Sequence, residues 1–523
     1  MTAGTIRCKV FANLYKDSVT LMQLGARLRE RDGIAQASCL MATPANLAQL
    51  QHAELEIDAS PSPSDLLVIV RGDAAACDDA IAAAEALLRS AGSASDGDAA
   101  AFSLPLTSLA LAVERVPDSD LALISVPGDY AAAEAMKALS LGLHVMLFSD
   151  NVSVAEELAI KTRARARGLL VMGPDCGTAI VNGVPLGFAN VVRRGDIGLV
   201  AASGTGLQEV TCRIHNLGGG VSQALGTGGR DLKEEIGGIT MLQGLAALAA
   251  DPPTRVIVLI SKPPAPTIAK QIEDAAAAAG KPVVVHFLGA EPRRLPHGVH
   301  AATSLRHAAD VAVALARGDP PPPSTVTPPP AAIAAVERCA AAMAPAQRAV
   351  RALYTGGTFC YEAQLAFIAR GLPCRSNAPA HGALPFDGHF DGHVFLDLGD
   401  DDYTRGRPHP MIDPSQRDAT VRAQGADPHT AAILFDVVLG YGAHDDPGGG
   451  LATALADAQR DARADGRTLA LIGHVCGTDG DPQDRAAQVR ALEAAGAIIA
   501  GSNVEAAWLA AHLAERRARP FGR

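Results

Sequence analysis

Two short strings in this chain bring hydroxyls and glycines to places where main-chain amides could hold a phosphate or carboxylate. Residues Ile197–Glu209 read IGLVAASGTGLQE, and residues Ala352–Glu362 read ALYTGGTFCYE. Each is an apolar run, then a small-Gly-Thr turn, then a stretch able to start a helix. A Glu stands four residues beyond the Thr in both, Thr205 to Glu209 and Thr358 to Glu362. Such a turn aims backbone N–H groups from the positive end of a helix, a geometry that binds anions. The binding candidates are Ser203, Gly204, Thr205 and Gly206 in the first string and Gly356, Gly357 and Thr358 in the second. The competing reading is a tight turn whose hydroxyl only caps the helix. Duplication at two strand ends favours the anion site. Glu209, one helical turn on, either orients a catalytic group or faces solvent.

Further candidates follow other apolar runs. GGRDL at Gly228–Leu232 offers Gly228, Gly229 and Arg230, and SKPPA at Ser261–Ala265 offers Lys262; the two cations could neutralise a bound anion. Gly399–Pro414, GDDDYTRGRPHPMIDP, concentrates charge and proline, with Asp400, Arg407 and His409 the residues suited to chemistry. Three successive acids resist burial, so they stay solvated or meet a cation. The alternatives are a Mg²⁺ ion beside a phosphate and a proline-stiffened surface loop. His297 and His300 read as solvent-exposed loop histidines, and Cys176 in GPDCGT as a small buried thiol. The nine cysteines are dispersed with no CxxC pair, which points to reduced thiols, no structural zinc and no metal centre. A Walker A string is absent.

These residues need a scaffold, and the hydrophobic pattern supplies an α/β one. Residues 1–92 read strand-helix-strand-strand-helix: strands at Cys8–Leu14, Ala37–Met41 and Leu66–Val70, helices at Val19–Arg31 and Ala74–Arg89. That order suggests a small ferredoxin- or ACT-like domain. Gly92–Asp98 is a polar break. Residues 100–190 alternate short buried strands with helices and suggest a Rossmann-like unit on a parallel sheet. Residues 191–317 repeat the alternation, with strands at Ile197–Ala201, Ser222–Leu225, Val256–Ile260 and Val283–Phe287. The proline tract within 318–331 is a stiff spacer. Residues 345–523 form a second copy, with strands at Ala352–Tyr354, Val394–Leu396, Ala432–Val437, Leu469–Ile472 and Ala497–Ile499. Four landmarks recur in the same order in 191–317 and 345–523, and ligands in such sheets collect beyond the carboxyl ends of the strands. Both copies therefore read as flavodoxin-like.

Composition narrows the function. With 523 residues, 48 % hydrophobic and 19 % charged, the chain is globular and multi-domain. A net charge of −11 argues against a nucleic-acid partner. No run of 18 apolar residues exists and the N-terminus lacks a signal-peptide core, so no membrane partner and a cytoplasmic location are expected.

The chain resembles the FdrA family, relatives of the succinyl-CoA synthetase α subunit. The resemblance is carried by FSDNV (Phe148–Val152), GPDCGT (Gly173–Thr178), ASGTG (Ala202–Gly206), GGRDL, SKPPA, LYTGGT (Leu353–Thr358) and GRPHPMIDP (Gly406–Pro414). It implies a CoA-binding-type domain at 100–190 followed by two ligase-type domains with parallel sheets. It also implies a place in allantoin and purine breakdown, as a component of oxamate carbamoyltransferase that works with partner subunits. The substrates would be small anions, carbamoyl phosphate and oxamate. Two departures speak against CoA and a phosphohistidine relay. The glycine-rich CoA loop is missing, and around Arg293, Arg294 and His297 the histidine is flanked by Pro296 and Gly298. An ADP-forming acyl-CoA synthetase and a non-catalytic scaffold are the other functions considered.

Overall fold

Short β-branched and apolar runs organise the described residues around four sheets. The computed structural model describes residues 4–518, except 44–45, 48–49, 51–60, 91–105, 107, 291–293 and 405–407. The polar break at 92–98 and Arg407 lie outside the described residues.

The first unit is a three-stranded antiparallel sheet with Leu66–Gly72 between Thr5–Phe11 and Ile34–Met41. The helices Ser18–Arg29 and Ala74–Ser90 complete the expected order, and the first strand starts three residues before the expected Cys8. This unit touches the far end of the chain. Arg29 pairs with Asp413 and donates to Ser415 Oγ at 2.9 Å, and His444 meets Glu30 at 2.9 Å.

The second unit is a three-stranded parallel sheet, Leu121–Ile124, His144–Leu147 and Val171–Met172. Its helix Val154–Ala166 begins with a capping box formed by Ser153 and Glu156, which satisfies two otherwise orphaned amides. The hairpin Thr178–Gly187 falls inside the expected 100–190 unit but pairs antiparallel with Val221–Gly226 of the next sheet. The structural seam thus lies ahead of Thr178 rather than at 190.

The third and fourth units share one topology. In the third, five parallel strands lie in the order 299–301, 283–287, 256–261, 194–202, 221–226. In the fourth, the equivalent order is 497–500, 470–476, 430–438, 349–354, 393–397, with 374–376 and 384–385 added beyond. Both follow the doubly wound 2-1-3-4-5 order and leave a crevice at the strands' carboxyl ends. Asp319–Pro329 has no regular structure, and a helix opens at Pro330, where the missing proline N–H is not needed. One apolar cluster runs through both units, from Ile180 through Tyr354 to Ala514. The two sheets therefore face each other across a shared core.

Candidate functional site

The helices that follow the two glycine turns, Gly204–Asn216 and Gly357–Ile368, meet at their N-termini. Ser203 Oγ and Thr358 Oγ1 are 2.7 Å apart. A Cβ built on Gly356 would stand 3.0 Å from Thr205 Cγ2, so only glycine permits this approach. The duplicated turns thus form one junction.

Their chemistry differs. In the first turn Ser203 caps its helix by accepting from Gly206 N at 3.0 Å, and Gly204 is exposed. In the second turn a carboxylate of the protein already sits on the amides. Asp436 accepts from Thr355 N at 2.7 Å and Gly356 N at 2.8 Å, and both its oxygens lie 3.0 Å from Thr355 Oγ1. Asp397 lies against Gly357, where a side chain would collide with it. Gly356 therefore gives its amide to an internal carboxylate and Gly357 is crowded by a second, so at these two positions the turn differs from the open one expected. Strand register explains the difference. Ala201 pairs with Ile260 and Gly226, whereas Leu353 pairs with Phe435 and Leu396, one step before Asp436 and Asp397. Ile260 and Gly226 in one copy thus stand where Asp436 and Asp397 stand in the other.

The open turn looks onto a cleft of mixed charge. Lys262 is exposed, lies 5.7 Å from the Tyr361 ring centroid, and is close enough to Asp397 and Asp175 to offset their charges. Burial raises the Asp397 carboxyl to about 6 against the pull of Lys262, with Asp400 and Asp436 adding to the rise. Asp175 is exposed; crowding about its carboxyl and the carboxylates of Asp150 and Asp401 push it upward, against Arg230 and Lys262. A buried carboxyl and an exposed one thus stand near one lysine.

Other candidates serve the scaffold. Arg230 donates to Val152 O at 2.7 Å and pairs with Glu157 at 3.0 Å, which ties the third unit to the second. Gly228 has φ +82 and lies against Pro174 O, while Gly229 is open to solvent. Asp400 accepts from Asp402 N at 3.1 Å and starts the short helix Asp401–Thr404. His409 is turned inward against Gly399 and Phe188 and accepts from Met411 N. Burial lowers its imidazole to about 4, which favours the neutral ring. His297 is exposed, and burial drives the Cys176 thiol to about 12. Among the described residues no group of three or more His, Cys, Asp or Glu could hold a metal ion. No helix among the described residues is long and apolar enough to cross a membrane.

Glu209 does not face solvent. It is 3 % exposed and accepts from His474 Nε2 at 2.8 Å across the seam between the two units. Burial alone would raise Glu209 and lower His474. Their mutual attraction outweighs it, holding the carboxyl below and the imidazole above their ordinary values. The equivalent pair has parted. Glu362 accepts from Leu305 N and Asn503 Nδ2, and His286 Nε2 is buried with no partner. His474 escaped sequence reading because it lies inside the apolar run LALIGHVC. A lone polar residue in such a run signals a buried partner.

Comparison with known proteins supports the α/β architecture but places the CoA-binding match on the third unit rather than on residues 100–190 as expected. A model described as CoA-ligase matches residues 353–513, one described as CoA binding domain matches 192–289, and one described as AllF, heavy metal-associated domain matches 1–103. The chain is built of CoA-binding and CoA-ligase units of the succinyl-CoA ligase α type, behind an AllF-type domain. It belongs to the family of the uncharacterized protein YahF of Escherichia coli (strain K12), with 41 % identity across 97 % of this chain and 98 % of that one. The succinate–CoA ligase [ADP-forming] subunit alpha 2 of Archaeoglobus fulgidus is 28 % identical over 28 % of this chain and 52 % of its own length, so about half of that relative is spanned. A solved apo acetyl-coenzyme A synthetase of Ca. Korarchaeum cryptofilum is 17 % identical over 77 % of this chain and 85 % of its own, with a TM-score of 0.32.

Proposed function

We propose that this chain is an FdrA-type, acyl-phosphate-handling transferase component, of the oxamate carbamoyltransferase kind, acting with partner subunits in allantoin or purine breakdown. The observation that carries this reading is the solvent-facing helix N-terminus at Ser203–Gly206, with Lys262 and the carboxyls of Asp397 and Asp175 nearby. The AllF-type domain at 1–103 supports the link to allantoin, and the CoA-ligase units support the handling of acyl phosphates. In the forward direction the oxamate amide nitrogen would attack the carbamoyl carbon. The C–O bond to phosphate breaks, phosphate leaves with the electron pair, and the nitrogen loses a proton. The amides of Gly204 and Thr205 with Lys262 would hold the phosphate, and Asp397 or Asp175 would take the proton. Orientation and charge stabilisation do the work, with no covalent intermediate.

The test is to assay the chain, alone and with co-purified partners, for oxalurate formed from carbamoyl phosphate and oxamate. Product from the complex, lost in Thr205→Val with the melting curve unchanged, is the expected result. No product from the complete assembly would discard the reading. The CoA binding match at 192–289 favours a second reading, an ADP-forming acyl-CoA synthetase component. Saturable CoA heat in calorimetry would support it, and a flat titration would remove it.

A further inference from the structure

A second cavity, of about 320 Å³, opens beside the Glu209–His474 pair, on the side away from the junction of the two turns. One wall is the helix Gly204–Asn216, which contributes Glu209, Arg213 and Asn216. The other wall belongs to the fourth unit and contributes His474, Cys476 and Arg485. The charges around it are unevenly matched. Glu209 and His474 neutralise each other at 2.8 Å. Arg213 is held in a fork by Asp310, at 2.6 and 3.1 Å. Asp481, behind the cysteines, already accepts from Asn190, Val191 N and Thr478 N, each at 2.8 Å. Arg485 has only the Val475 carbonyl at 3.4 Å and no carboxylate among the described residues, and its buried Nε has no partner. A guanidinium is always charged and presents a planar fork suited to carboxylate or phosphate. A buried donor without an acceptor costs stability that an anion would restore.

We propose that this cavity is a second small-anion site, in which Arg485 grips a carboxylate or phosphate group at the seam between the third and fourth units. The ligand would touch both units at once, beside the ion pair that joins them. Occupancy would therefore stiffen the seam and couple to the open turn through the shared helix Gly204–Asn216. The site does not depend on which transfer reaction the cleft performs.

The test is calorimetry on the full chain with inorganic phosphate and, separately, with oxalate, which distinguishes the two sources of negative charge. Wild type, Thr205→Val, Arg485→Gln and Arg485→Lys are compared, with thermal melts to confirm folding. Binding of either anion that survives Thr205→Val, weakens at least about tenfold in Arg485→Gln and partly returns in Arg485→Lys is the expected result. No saturable heat in wild type at millimolar anion would overturn the proposal. So would binding that disappears in Thr205→Val but persists unchanged in Arg485→Gln. If Arg485→Gln fails to fold, Asn216→Leu, which crowds the same cavity from the opposite wall, must show the same loss.

Discussion

The two glycine turns descend from one pattern and meet hydroxyl to hydroxyl, yet one is open and the other is filled from within. Ile260 and Gly226 leave the amides of the first turn unclaimed, while Asp436 and Asp397 occupy or crowd those of the second. The difference shows how one acidic residue in a neighbouring strand can tie down a glycine turn. The filled turn stiffens the junction against which the open one works. The seam repeats the asymmetry, with Glu209 paired to a histidine and Glu362 to an amide and an asparagine.

The sharpest way to break this comparison is Asp436→Ala, which strips the second turn of its carboxylate. Unfolding by urea should show a loss of about 3–5 kcal/mol, since buried donors and the nearby Arg417 lose their counter-charge. Formate should return part of that loss in the variant and leave wild type unchanged; no difference between them would mean that the second turn has no anion-binding capacity. Next in size is Glu209→Ala, expected to cost about 3 kcal/mol by leaving His474 unpaired. Its pH dependence follows from the two shifts. His474 titrates above its ordinary 6.5, so its share of stability is complete below 6.5 and fades as pH climbs through the folded value. Glu209 titrates below 4.5, so its share is complete above 4.5 and is lost as pH falls through the folded value. The gap between wild type and variant should therefore be widest between 4.5 and 6.5, by melts across pH.

A smaller effect is expected at Lys262, which is exposed and lies over the Tyr361 ring. Lys262→Ala should weaken phosphate binding at the open turn by about tenfold while leaving the melting temperature unchanged. Sulfate, whose own charge does not vary here, should bind more tightly as pH falls, because Asp175 and Asp397 lose their charge at about 7 and about 6. The smallest change is Arg230→Ala, expected to loosen the second unit by about 1 kcal/mol with little effect on anion affinity, since Arg230 is engaged by Val152 and Glu157.

Much of the fold was legible because buried parallel strands appear as short runs of Val, Ile and Leu ended by glycine. The hairpin at 178–187 and the strands 299–301, 374–376 and 384–385 were not. Two to four residues give no periodicity to read, and only their neighbours in the sheet define them. The first turn was legible as a strand-to-helix glycine turn from ASGTG and its repeat. The filling of its twin was not, because the deciding residue is a single Asp inside ILFDVV, and its meaning depends on which amides the neighbouring strand presents. An aspartate in a run that is otherwise buried must find donors, and that rule would have pointed to Thr355 and Gly356. Arg230 and His409 were chosen for their chemistry, but their partners, Glu157 and Phe188, are remote in sequence.

The apolar cluster that passes without a break from Ile180 to Ala514 makes the proline tract a tether rather than a hinge. Once the halves have closed on each other, the peptide bonds at 319–329 hold nothing that side chains do not already hold. Cleavage there should leave a particle that sediments as one, and the halves produced as separate polypeptides should find each other and reassemble.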